Sequence, residues 1–270
     1  MDCASVMGSL VVAGSHWPPM LLSPLLSAAC WEQGAGRAQT VCQDLNGRDR
    51  LQLGPVPACG VSRSEVHVLV DHIIYAVPDL AVAVADLQAR LGIRAQAGGK
   101  HVGLGTHNAL LALGPRTYLE IIAPDPDQPA PPVHPFGIEG ITCGKLVGWA
   151  LACDDIDHAV AEARSHGYDP GAVVDGHRVE PSGTVLRWRA TRSEQADDLI
   201  PFFICWGGTE HPARSAPPGL ILNSLQIEHP DPPSFGSLLM AIGANVEVRQ
   251  GQAPALVAYL SGPNGSKVLR

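Results

Sequence analysis

The chain is poor in charge, in aromatic side chains and in long apolar runs. Only 16 % of its 270 residues are charged and 5 % are aromatic. No apolar stretch approaches the roughly 20 residues that cross a bilayer. Lysine and arginine number 18 against 26 acidic residues, a formal net charge of −8 with no basic cluster. That balance excludes nucleic acid and membrane from the expected partners. None of the seven cysteines is spaced as Cys-x-x-Cys, so a structural zinc knot is not expected. No Gly-x-Ser-x-Gly occurs either, which weakens serine hydrolase chemistry. What is there is a 46 % hydrophobic composition with 29 glycines and 24 prolines. It suits a globular α/β chain of short elements and many turns, large enough to bury a core.

Four cysteines (Cys3, Cys30, Cys42, Cys59) precede residue 66, and Cys143, Cys153 and Cys205 follow it. Cys153 and Cys205 lie in apolar, strand-like runs, which suits reduced, buried thiols and a cytoplasmic setting. Residues 1–65 show no sustained helical or strand period. Their one apolar stretch, Met20 to Cys30, lacks a preceding basic segment and is broken by Pro24. We expect residues 1–65 to be a poorly structured extension ahead of a domain that begins near Val66.

From Val68 the pattern is regular. Val68 to Val77 is a β-branched apolar run closed by Pro78, and Asp79 can cap a helix whose face is Leu80, Val84, Leu87 and Leu91 before Gly92. After a glycine-rich passage, Asn108–Leu113 and Thr117–Ala123 read as strands. The same order then returns. Leu146 to Cys153 is a strand, Asp154 and Asp155 a cap, and Ile156, Val160 and Ala163 a helix face before Gly167. A hairpin of 173–179 with 184–190 and a closing strand over 200–206 complete it. A partial third copy runs from Leu222 to Leu269. Repeats of this length imply stacked supersecondary modules.

A tandem βαβββ module resembles the vicinal-oxygen-chelate superfamily (glyoxalase, bleomycin resistance, dioxygenase), and within it the glyoxalase-like branch. The residues that carry the resemblance are 70–80, 98–114, 118–126 and 201–206. It implies an α+β fold in which paired βαβββ modules form a curved mixed sheet cupping a pocket. The paired domain is expected over 66–208, with a partial third module over 209–270 packed on it. Reactions in the superfamily run from isomerisation to ring opening and drug sequestration, so the fold alone does not choose among them.

His72 and Glu120 each interrupt an apolar strand. A buried carboxylate needs a cation, a donor or water. The resemblance implies that first-strand His and fourth-strand Glu are metal ligands, and His72 and Glu120 match those places. The pair suits a divalent ion such as Zn, Mn, Fe or Ni, or a structural hydrogen bond. In the second module Gly148 falls opposite His72 and Phe203 roughly opposite Glu120, neither of which can ligate. His107 and Asn108 follow a glycine-rich segment into an apolar strand. His107 is a candidate third ligand or general base, Asn108 a donor to a substrate carbonyl, and both also suit a plain turn. Arg187 and Arg189 share a strand face opposite Trp188, and Arg187 is a candidate for binding a substrate carboxylate, with surface exposure as the other reading.

The expected function is therefore a small-molecule metalloenzyme (isomerase, lyase or dioxygenase-like). His107 and Glu120 would be its catalytic residues, Asn108 and Arg187 its substrate-binding residues, and His72 and Glu120 its metal ligands. The alternative is a non-catalytic small-ligand sequestration protein. A homodimer is compatible with either.

Overall fold

A computed structural model describes residues 69–131, 134–193 and 198–270. They fall within one compact unit, Glu65–Arg270. The expectation for residues 1–65 lies outside the described residues.

The first module is β1 (Val70–Ala76), α1 (Leu80–Leu91), β2 (Gln96–His101), β3 (Thr106–Gly114) and β4 (Thr117–Pro124). The second is β5 (Lys145–Ala152), α2 (Ile156–Ser165), β6 (Ala172–Val179), β7 (Val185–Arg192) and β8 (Phe202–Cys205). The helices start as their sequences dictate. The Asp79 and Asp155 carboxylates accept from the amides of Val82 and His158, and Gly92 closes α1 in the left-handed conformation. The eight strands close into a barrel in the order β1-β4-β3-β2-β6-β7-β8-β5. β1 and β5 are thus the equivalent first strands of two modules. They meet antiparallel along a seam running from Val70–Leu151 to Ala76–Lys145. The opposite seam, between β2 and β6, pairs at the single position Lys100–Val179.

Alternation along each strand splits the side chains into two sets. Ile73, Tyr75, Leu111, Leu119, Ile121, Trp149 and Phe203 pack outward with the apolar faces of α1 and α2. The inward set is more mixed. It includes Ile74, Ala76, Ile122 and Val147, with Ile138 and Phe136 from the inter-module connection, and also the polar residues described below.

Two expectations change. The glycine-rich passage contains a strand, β2, which bulges at Gly98 between the Ala97–Ala109 and Gly99–Asn108 pairs. The third unit, β9 (Ile221–His229), α3 (Pro232–Ala241), β10 (Glu247–Gln250), β11 (Ala255–Gly262) and β12 (Gly265–Leu269), repeats the element order but not the wiring. Its sheet runs β10-β9-β11-β12, so its first strand is internal rather than at an edge. Leu225, Ile227, Leu256, Ala258, Leu260 and Leu269 from this sheet complete the same apolar core that the barrel turns outward.

Candidate functional site

The polar interior is built on β1. Between the Val70–Leu151 and His72–Ala150 pairs, β1 carries one residue more than β5. The extra residue is Asp71, and such a bulge re-aims a side chain. Asp71 and His72 are neighbours in sequence, yet both are buried on the barrel's inner side, bonded to each other. Nδ1 of His72 lies 2.7 Å from an Asp71 carboxylate oxygen. The other Asp71 oxygen accepts from Trp206 Nε1 and faces His211 Nε2, each at 3.0 Å. Burial alone would raise the Asp71 pKa. The bonds to His211 and His72 outweigh it and bring it down to about 2. An ionised carboxylate only accepts, so Nδ1 of His72 carries the proton.

Nε2 of His72 is thereby left facing inward, 3.7 Å from Oε2 of Glu120 on β4. On the other side of the same carboxylate, Nε2 of His101 lies 3.7 Å from Oε1. The imidazole of His101 is fixed through Nδ1 to Thr106 Oγ1 at 2.9 Å, and its burial lowers its pKa. Asn108 Nδ2 donates to Glu120 Oε1 at 2.7 Å. On its opposite end, Asn108 Oδ1 accepts from Arg178 Nη1 on β6 at 3.4 Å. The ring of Tyr118 stacks on His72 at 4.7 Å, and Phe202 meets it edge-on at 5.5 Å.

The sequence candidates are thus distributed unequally. His72, Glu120 and Asn108 come together. His107 is half-buried on the face of β3 opposite Asn108 and takes no part in the hydrogen bonds of this cluster. Arg187 is exposed on β7, on the face opposite Trp188. Its face-mate Arg189 pairs with Asp157 on α2 at 2.8 Å. His101 is buried at the end of β2. Asp71, Arg178, Trp206 and His211 were not foreseen. In the second module Gly148 stands where His72 stands in the first. Parallel pairing of Ala150 with Phe202, matching that of Ile74 with Glu120, makes Phe202 rather than Phe203 the equivalent of Glu120. The space beside Gly148 is filled by the ring of Phe136, 3.3 Å from where a Cβ would stand.

The donor chemistry fits a divalent cation. Two imidazoles, each with Nδ1 occupied, turn Nε2 toward one carboxylate, the arrangement in which outer partners orient metal-bound histidines. Among the described residues, no group of three or more His, Cys, Asp or Glu side chains is gathered closely enough to hold an ion as the side chains now stand. His72 and Glu120 are the nearer pair to a site, with His101 beside them.

These features, two βαβββ modules closed around a polar centre on the first and fourth strands, define the vicinal-oxygen-chelate architecture. A glyoxalase-like domain model matches residues 70–242, and the chain belongs to that family. No curated protein matches the sequence significantly. Among solved structures, the chain is similar to a hypothetical protein from Staphylococcus aureus (TM-score 0.51, 17 % identity, covering 74 % of this chain and 83 % of the other). Weaker likenesses include methylmalonyl-CoA epimerase from Mycobacterium tuberculosis (TM-score 0.36, 20 % identity, 52 % and 88 % covered). A 4-hydroxymandelate synthase variant from Streptomyces coelicolor gives a TM-score of 0.42 at 14 % identity, with 75 % and 62 % covered.

Proposed function

We propose that the chain is a small-molecule metalloenzyme of the vicinal-oxygen-chelate type, of isomerase, lyase or dioxygenase-like chemistry, acting in the cytoplasm. One observation carries the reading. With Nδ1 held by Asp71, His72 turns Nε2 toward a carboxylate oxygen of Glu120 3.7 Å away. An imidazole nitrogen and a carboxylate oxygen facing each other across a gap too long for a hydrogen bond leave room for a cation that both could ligate. His72 and Glu120, joined by His101, are the residues that would hold it. A bound divalent ion supplies Lewis-acid polarisation of neighbouring substrate oxygens.

The chain's own residues do the rest. Asp71 fixes the tautomer and orientation of His72. Asn108 engages Glu120 Oε1, leaving Oε2 as the oxygen free to bind or to take a proton. The Tyr118 hydroxyl, buried and with a pKa raised well above its ordinary value, stays neutral. Phe202, Trp188 and Trp206 give the second-module half of the interior an aromatic wall.

The alternative, sequestration without catalysis, draws on that same wall and on Gly148 and Phe202, which offer no ligand. Elemental analysis and calorimetric titration with Mn²⁺, Ni²⁺ and Zn²⁺ separate the two. The metalloenzyme reading expects one ion per chain and at least a tenfold loss of affinity in Glu120→Gln, with a melting temperature within a few degrees of the parent. Unchanged ion stoichiometry together with a large fall in melting temperature would make Glu120 a structural partner of His72 and overturn the reading.

A further inference from the structure

Arg178 is the feature of the interior that the proposed chemistry does not use. Its side chain is buried, with 2 % of the residue exposed. It makes one long hydrogen bond, from Nη1 to Asn108 Oδ1 at 3.4 Å. Nε and Nη2 are fully covered and have no hydrogen-bond partner among the described residues. The nearest carboxylate to Nη2 is Glu180 Oε1 at 3.7 Å, beyond hydrogen-bond reach. A covered guanidinium with unmet donors is costly, so a fold that keeps one has a use for it.

The pair of unmet donors is specific. Nε–H and the adjacent Nη2–H form one edge of the guanidinium and point the same way, the two-pronged edge that receives both oxygens of a carboxylate. The backbone around it is built to make room. A Cβ at Gly98 would stand 2.2 Å from Asn108 Oδ1 and 2.7 Å from Arg178 Nη1. The placement is also suited to a ligand's approach, because Arg178 precedes Val179, where β2 and β6 pair only once. Asn108 joins Nη1 of Arg178 to Glu120, while the Nε–Nη2 edge faces away from Asn108, so an anion held there would lie across the guanidinium from the His72–Glu120 centre.

We infer that Arg178 anchors the anionic end of the substrate, and that this end is a carboxylate. The assignment rests on the reading of the barrel as a small-molecule site, but does not need the cation. Glu180, half-buried just past the hairpin end of β6, is the competing carboxylate that a bound acid displaces.

The test uses the full chain, with benzoate as a flat acid suited to the aromatic wall. Benzamide serves as its neutral counterpart and inorganic phosphate as the other two-oxygen anion. Calorimetric titrations and thermal melts are run on the parent, Arg178→Lys and Arg178→Met, each with Mn²⁺ and after EDTA treatment. Benzoate is expected to bind the parent in both states and raise its melting temperature, and to bind both variants at least tenfold more weakly. Benzamide should not distinguish the three proteins. Without ligand, Arg178→Met should melt no lower than the parent, because it replaces a poorly paired buried charge. Equal benzoate affinity in the parent and Arg178→Lys, or phosphate binding in place of benzoate, would overturn the assignment. So would a large fall in the melting temperature of Arg178→Met, which would make the residue structural. Failure of Mn²⁺ to bind any of the three, with the benzoate result intact, would remove the cation reading and leave this one standing.

Discussion

Asp71 decides the chemistry of the site, although it sits behind the reacting groups. It receives bonds from His72, Trp206 and His211, so Asp71→Asn should cost roughly 2–3 kcal/mol at neutral pH, measured by denaturant unfolding. Because its folded-state pKa lies below the ordinary one, its contribution is whole above the usual carboxylate range. That contribution, about 2 kcal/mol, is lost as the pH falls from about 4 toward 2. His101 acts in the same direction at higher pH. Its lowered pKa means the unfolded chain takes up a proton first, so stability begins to fall as the pH drops below about 6.5. Acid titration of the melting temperature should therefore show two losses, the lower of which disappears in Asp71→Asn. At this scale the sequence was informative where a polar residue breaks an apolar alternation, as His72 and Glu120 do. It could not reveal Asp71, since alternation sends adjacent residues to opposite faces and only the bulge brings both inward. Nor did it mark Arg178, because β6 is exposed along most of its length and carries no apolar period.

The elements themselves were largely legible. The helices of the two modules start at the aspartates the sequence offers as caps, and Asp79→Ala should cost about 1 kcal/mol, checked by thermal melts. β2 was missed for a physical reason. Gly98 and Gly99 remove the side chains from which a strand period is read: a Cβ at Gly98 would crowd Asn108 and Arg178, and one at Gly99 the Val179 carbonyl. Gly98→Ala is expected to push Asn108 and Arg178 aside. It should destabilise the fold by roughly 1–3 kcal/mol and weaken Mn²⁺ binding by loosening Glu120, both measurable on one purified variant. The wiring of the third unit was also beyond reach. Its order of strand, helix and three strands matches the modules, but strand neighbours are set by packing against the barrel, which local pattern does not encode.

At the level of the whole molecule, the last sheet is part of the fold. Its inward residues share the core with Leu87, Leu91 and Trp149. The Leu146 amide, at the start of β5, donates to the carbonyl of Arg270 at 2.8 Å. A chain ending at residue 208 should lose its near-ultraviolet circular dichroism and bind hydrophobic dyes, the marks of a collapsed but unpacked state. The two seams of the barrel have a further consequence. One is a spine of six paired positions between β1 and β5, and the other is a clasp of one between β2 and β6. Free energies of local opening follow the bonds that must break, so the barrel parts at the clasp long before it parts at the spine. Asp71, His72, His101, Asn108 and Glu120 all lie on first-module strands and stay together when that happens, whereas Arg178 leaves with β6. A molecule that bridges Arg178 to Glu120 would therefore staple the two leaves together, and amide exchange along β2 and β6 should slow when it is bound.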